Sequence, residues 1–145
     1  MQTVAQLLDG KGSQVWSVQA DSTVFEALRV MAQKGIGALL VLNEGAVVGI
    51  LSERDYARKI ALEGRASRYT PVTDIMSPKV LSVSPRHTVN ECMALMTTHK
   101  VRHLPVMENE VVMGMISIGD LVKSIIAEQE FVIEQMTNYI AGNLA

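Results

Sequence analysis

Cysteine is almost missing from this chain. The single residue, Cys92, among 145 excludes an internal disulfide and fits a reducing compartment. Long apolar runs are missing too. Hydrophobic residues make up 48% of the sequence, but they come in short blocks such as ALLVL and VVGIL, well under the ~20 residues that span a bilayer. The start, MQTVAQLLDGKG, has neither the basic opening nor the apolar core of a signal peptide. A soluble, cytoplasmic protein without a membrane partner is the expectation. Positive charge is not in surplus: 13 Lys and Arg stand against 15 Asp and Glu, a net charge of -2, which gives no electrostatic case for nucleic acid. His87 and His99 are not spaced with cysteine or carboxylates as a metal set, so no metal site is expected. Neither a carboxylate pair nor a Ser-His-Asp set supports catalysis.

What is present is a repetition. Shifting the chain by 65 residues aligns VWSVQADSTVFEALRVMAQKGIGALLVLNEGAVVGILSERDYARKI with VLSVSPRHTVNECMALMTTHKVRHLPVMENEVVMGMISIGDLVKSI without a gap. Upstream, VAQLL (4–8) matches VTDIM (72–76) after a shift of 68. Such self-similarity marks a duplication.

Each copy reads the same way. A short strand (Val15 to Val18; Val80 to Val83) is followed by Thr-x-x-Glu (Thr23/Glu26; Thr88/Glu91), a capping-box signature. The helices beyond it place Ala27, Leu28, Met31 and Cys92, Met93, Met96 on one face. Cys92 thereby reads as a core residue. A strand (Ala38 to Leu42; His103 to Met107), a turn and a second strand (Ala46 to Leu51; Val111 to Ile116) make a hairpin. Helices Glu53 to Leu62 and Ile118 to Ala127 close the units. The fold class is α+β: two β-α-β-β-α repeats, over 2–66 and 67–127, and a C-terminal amphipathic helix or tail over 128–145. A copy of about 60 residues is marginal alone, so the repeats are expected to pack sheet to sheet about a pseudo-twofold axis. Phe131, Val132, Ile133, Met136 and Ile140 give the tail an apolar side, suited to covering a partner surface. The basic cluster Arg54, Arg58, Lys59, Arg65 and Arg68 reads as a solvated face.

Each closing helix opens on Gly-x-x-Ser-x-x-Asp: Gly49, Ser52, Asp55 and Gly114, Ser117, Asp120. Ser followed by an acidic residue three positions on is a helix cap, and needs no ligand. The same place also offers N–H groups and positive dipole character to a phosphate. A carboxylate nearby can accept from both hydroxyls of a ribose. Gly49 and Gly114 would leave room for a ligand to approach.

The tandem β-α-β-β-α repeat with this motif at each final strand-helix junction resembles the paired cystathionine-β-synthase (CBS) domain, or Bateman module, of the stand-alone bacterial type, over residues 2 to 127. The resemblance implies a non-catalytic, regulatory module in which an adenosine ligand (AMP, ADP, ATP, an NAD-type dinucleotide or S-adenosylmethionine) binds between the repeats. It implies a homodimer and allows an effector protein. Carried onto this sequence, Asp55 and Asp120 bind ribose and Ser52 and Ser117 assist phosphate. Arg102 and His103 add phosphate contacts in the second copy, and Arg54 takes that part in the first. Ile36, Val101, Leu51 and Ile116 line the adenine slot. Trp16 either lines the slot belonging to Asp120 or packs as core, and Lys11 is a further phosphate contact. The alternative is a structural or protein-interaction module that binds no ligand.

Overall fold

The computed structural model describes residues 2–144. Backbone packing divides the chain into two compact units, Val15–Leu81 and the pair of segments Met1–Gln14 with Ser82–Ala145. The repeats follow each other along the chain, but the units exchange their leading segments. The N-terminal segment joins the second repeat, and residues 63–81 join the first.

In the unit formed by Val15–Leu81, β1 (Ser17–Gln19) pairs in parallel with β2 (Ala38–Asn43), and β2 pairs antiparallel with β3 (Ala46–Ser52). Helix α2 (Val24–Lys34) lies between β1 and β2 in sequence. It starts at Thr23, whose hydroxyl accepts from the Glu26 amide, and stops at Gly35 in the left-handed conformation. The hairpin turns through Glu44 and Gly45, both at positive φ, the geometry that matches the twist of the flanking strands. Helix α3 (Glu53–Tyr56) passes into a π-helical turn, Ala57–Ala61, where the sequence pattern predicts one α-helix to Leu62. Gly64, at φ +67, ends this stretch.

The other unit repeats the plan with two differences. Helix α4 (Val89–His99) carries a complete capping box between Thr88 and Glu91. Strands β4 (His103–Glu108) and β5 (Val111–Ser117) form a hairpin. The expected strand over Val80–Val83 is reduced to one parallel bridge, Val83 to Val106. Pro85 stands where Ala20 donates its amide to the Leu42 carbonyl, and Pro105 removes a second bond. The counterpart of Pro105, Leu40, donates its amide to the Trp16 carbonyl, whereas proline has no N–H to give. The second difference is α5, which runs unbroken from Ile118 to Leu144. The boundary expected after Ala127 does not exist, because Gln129 stands where the first repeat has the helix-ending Gly64, and Glu and Gln sustain a helix.

Seven core positions correspond between the two units. Val18, Val24, Ala27, Met31, Leu39, Val41 and Leu51 are buried in one unit, and Val83, Val89, Cys92, Met96, Leu104, Val106 and Ile116 in the other. The leading segments complete both: Val72 and Ile75 in the first, Val4 and Leu7 of α1 (Val4–Lys11) in the second. Their docking bonds also correspond. The Val72 amide donates to the Ser22 carbonyl as Val4 does to His87, and Val24 donates to Thr70 as Val89 does to Gln2. Where α1 is an α-helix, its counterpart is the 3-10 turn Val72–Asp74. Pro78 disfavours helix at Ser77, which instead exchanges two backbone bonds with Ile50. No helix among the described residues is long and apolar enough to cross a membrane.

Candidate functional site

Hairpin register builds the candidate site in each unit. Ala38 lies opposite Ser52, and His103 opposite Ser117. The residue before each is bonded to the following helix: the Gly37 carbonyl accepts from Glu53, and the Arg102 carbonyl from Ile118. The start of one strand therefore lies beside the Ser-x-x-Asp motif that follows the other.

In the first repeat the Ser52 amide donates to Asp55 Oδ2 at 2.9 Å, and the Ser52 hydroxyl does so at 3.1 Å. The Asp55 amide returns a bond to the Ser52 hydroxyl at 3.3 Å. This is the reciprocal cap read from the sequence. Lys59 Nζ stands 3.8 Å from Asp55 Oδ1, one helical turn on, and donates to the Ile75 carbonyl at 3.1 Å. The composition pattern places Lys59 in a solvated cluster, but its i+4 spacing from Asp55 is the local signal for this pair. Other members of that cluster are also engaged. Arg65 pairs with Asp74 at 2.9 Å, and Arg68 lies 4.1 Å from the Phe25 ring centroid.

In the second repeat the Ser117 amide donates to Asp120 Oδ2 at 2.8 Å, and the Asp120 amide to the Ser117 hydroxyl at 3.2 Å. Here the cation arrives from outside the helix. Lys11, the last residue of α1, places Nζ 2.5 Å from Asp120 Oδ2 and 2.5 Å from the Met115 carbonyl. Burial alone would raise the Asp120 carboxyl. The Lys11 ammonium and the Ser117 amide and hydroxyl outweigh it, and hold the group below its ordinary value.

Two expectations about this place change. Ser52, Glu53 and Asp55 already spend their amides on Asp55, Gly37 and Ser52, and Ser117, Ile118 and Asp120 do the same in the second repeat. A phosphate cannot take these donors without undoing the cap. The glycines do not leave open room either. Leu8 fills the space above Gly114, and Met76 the space above Gly49. These two are equivalent under the 68-residue shift, so each glycine admits the leading segment of its unit.

The remaining candidates divide by exposure. Leu51 and Ile116 are fully buried and offer no surface to an adenine. Ile36 and Val101 keep partial exposure, Arg102 is exposed and His103 is half-buried. Arg54 is half-buried beside the first motif. Trp16 packs against the core of the first unit, with Lys34 Nζ 4.3 Å from its ring centroid. Cys92 is fully buried, and burial, with Glu91 adding to it, pushes its thiol up to about 11. His87 accepts from the Ser84 amide at 3.0 Å through Nδ1, a turn-closing role. Among the described residues no three His, Cys, Asp or Glu side chains converge on a metal position.

Comparison with known proteins agrees with this architecture. The CBS domain family matches the chain twice, over residues 12–62 and 72–127. The mitochondrial CBS domain-containing protein CBSX3 of Arabidopsis thaliana is 38% identical, over 97% of this chain and 72% of its own length. The CBS domain-containing protein YhcV of Bacillus subtilis is 30% identical, over 97% of this chain and 92% of its own. Among solved structures, a protein with CBS domains from Burkholderia ambifaria is 50% identical. It superposes with a TM-score of 0.85, covering 88% of this chain and 96% of that one. A CBS-domain protein from Agrobacterium tumefaciens is 38% identical, with a TM-score of 0.82 over 85% of this chain and 98% of its own. With two family matches, two equivalent cores and two capped Ser-x-x-Asp motifs, the chain belongs to the CBS-domain family as a tandem pair.

Proposed function

We propose that this chain is a regulatory module that binds an adenine nucleotide (AMP, ADP, ATP or an NAD-type ligand) at its Ser-x-x-Asp motifs. One observation carries the reading. In both units, hairpin register sets the start of a strand beside a carboxylate at the start of a helix. A carboxylate so placed suits the vicinal hydroxyls of a ribose. In the second repeat Arg102 and His103, at that strand start, supply the cationic and donor groups that phosphate requires. Asp55 with Arg54 takes the corresponding part in the first repeat. Family membership supports the choice of an adenosine ligand.

The test is thermal unfolding of the intact chain with AMP, ATP, NAD or S-adenosylmethionine in excess. Specific binding to the folded state must raise the midpoint. A rise with at least one of the four is expected, and no rise with any favours a ligand-free interaction module. Asp120→Ala should weaken binding at the second site by at least about tenfold, roughly 1.4 kcal/mol. Unchanged affinity with lowered stability would leave Asp120 as a cap and nothing more.

The same reading makes the module a homodimer. Ile118, Val122, Ile126, Val132, Ile133, Met136 and Ile140 form an exposed stripe along α5, and a second copy of the stripe matches it in chemistry. Sedimentation of the pure chain at micromolar concentration checks this, and a monomer throughout removes it.

A further inference from the structure

The unusual element of the second site is where its cation comes from. Lys11 belongs to α1, more than a hundred residues from Asp120 in sequence, and its Nζ sits 2.5 Å from both Asp120 Oδ2 and the Met115 carbonyl. Oδ2 already accepts from the Ser117 amide. In the first repeat the corresponding cation, Lys59, is 3.8 Å from the other carboxylate oxygen, Oδ1, leaving Oδ2 to the Ser52 donors. The residue that corresponds to Lys11 under the 68-residue shift, Lys79, is exposed.

We propose that Lys11 is a displaceable counter-ion of Asp120, and makes the second site select phosphorylated nucleosides over uncharged ones. The inference rests on the nucleotide-binding reading above. The hydroxyls of a sugar are neutral donors, and an ammonium-carboxylate bond is roughly twice as strong as a neutral one. An uncharged nucleoside therefore meets a carboxylate whose Oδ2 is already taken by a charged donor and an amide. To take Oδ2, the nucleoside must displace a charged donor and put a neutral one in its place, which weakens the bond that the carboxylate accepts. A phosphate-bearing ligand changes the balance. It brings an anion to which Lys11 can transfer its N–H bonds while the sugar hydroxyls take over Asp120. No charge is left alone at any point in the exchange. The amides of Ser117, Ile118 and Asp120 are spent, so the phosphate draws on side chains as well, and Lys11 is the one already at the carboxylate.

The probes are adenosine and AMP, titrated calorimetrically into the intact chain carrying Asp55→Asn, which silences the first site. In this background AMP is expected to bind at least about tenfold tighter than adenosine. Adding Lys11→Met keeps the packing stem and removes the charge. Adenosine should then bind roughly threefold or more tighter, and the AMP-to-adenosine ratio should fall at least about fivefold. Lys11→Arg keeps the charge and should keep most of the preference. A ratio unchanged by Lys11→Met overturns the proposal, as does adenosine binding that weakens. Thermal unfolding of each variant without ligand separates loss of folding from loss of selectivity. Adding Asp120→Asn to the background tests the underlying reading instead. It should abolish binding of both ligands, and retention of both means that the site itself, not the selectivity of Lys11, was misassigned. No binding of either ligand to the Asp55→Asn chain overturns both statements.

Discussion

Leu8 occupies the space that a side chain on Gly114 would need. A methyl group there would lie 2.8 Å from Leu8 Cδ2. Met76 stands in the same relation to Gly49, where the methyl would also meet the Ser77 carbonyl at 3.0 Å. Overpacking of this kind costs about 1–3 kcal/mol. Gly49→Ala should cost more than Gly114→Ala, because a flexible leucine end can move and a backbone carbonyl cannot. Urea unfolding of the two variants gives the order. Equal costs, or the reverse order, would contradict the account of how the leading segments dock.

Acid should destabilise the fold in part through Asp120 and Glu91. Both carboxyls are held below their ordinary values. For Asp120 burial pushes up, but is outweighed by Lys11 and Ser117. For Glu91 the Thr88 amide and hydroxyl dominate. A carboxyl lowered in the folded state binds its proton less readily than in the unfolded chain. Its contribution is complete above the unfolded value, about 4, and is lost as pH falls through the lower folded one. Thermal midpoints measured from about pH 5 downward should fall in the parent chain and fall less steeply in Asp120→Asn. Parallel curves would show that the Lys11 pairing carries no linkage.

Cys92 should be unreactive. Its side chain is fully buried and its thiol is pushed up to about 11, so thiolate is scarce near neutral pH. A chromogenic disulfide reagent should find no reactive thiol in the native chain and one in denaturant. Rapid labelling without denaturant would mean that α4 opens far more readily than its packing implies.

Ending the chain after Ala127 should leave the repeats folded. The residues from Glu128 to Gly142 are all exposed, so little burial is lost. At a concentration low enough to keep both chains monomeric, the thermal midpoint should move by no more than about 4 °C, near the shift that 1 kcal/mol produces. Binding of a hydrophobic dye should fall with the loss of Phe131, Val132, Ile133, Met136, Tyr139 and Ile140. A large drop in the midpoint would show that the tail supports the fold directly.

Much of this structure is legible because the chain says it twice. Thr-x-x-Glu marks the starts of α2 and α4, the hairpins fall where two apolar runs flank a turn, and Ser-x-x-Asp closes each repeat as a cap. What escaped depends on single residues in which the copies differ. Pro85 and Pro105 delete ladder bonds and shorten a strand, and Gln129 in place of a glycine lets α5 continue. The roles of Gly49 and Gly114 could not be read locally, since Met76 and Leu8 come from elsewhere in the sequence. The Lys11–Asp120 pair was hidden for the same reason. The spacing within the motif reports its own cap, and no local pattern names a cation that arrives from the other end of the chain.

The exchange of leading segments also sets a schedule. Val15–Leu81 is continuous, so all its internal contacts are available once Leu81 has left the ribosome. Residues 2–14 precede it in the chain, yet must wait for later residues before Val4 meets His87 or Lys11 meets Asp120. Closing so long a loop is entropically slow, and non-local pairing of this kind delays folding. The two homologous halves are therefore unequal in time. One needs only its own continuous stretch, and the other is sealed only after that stretch has been made.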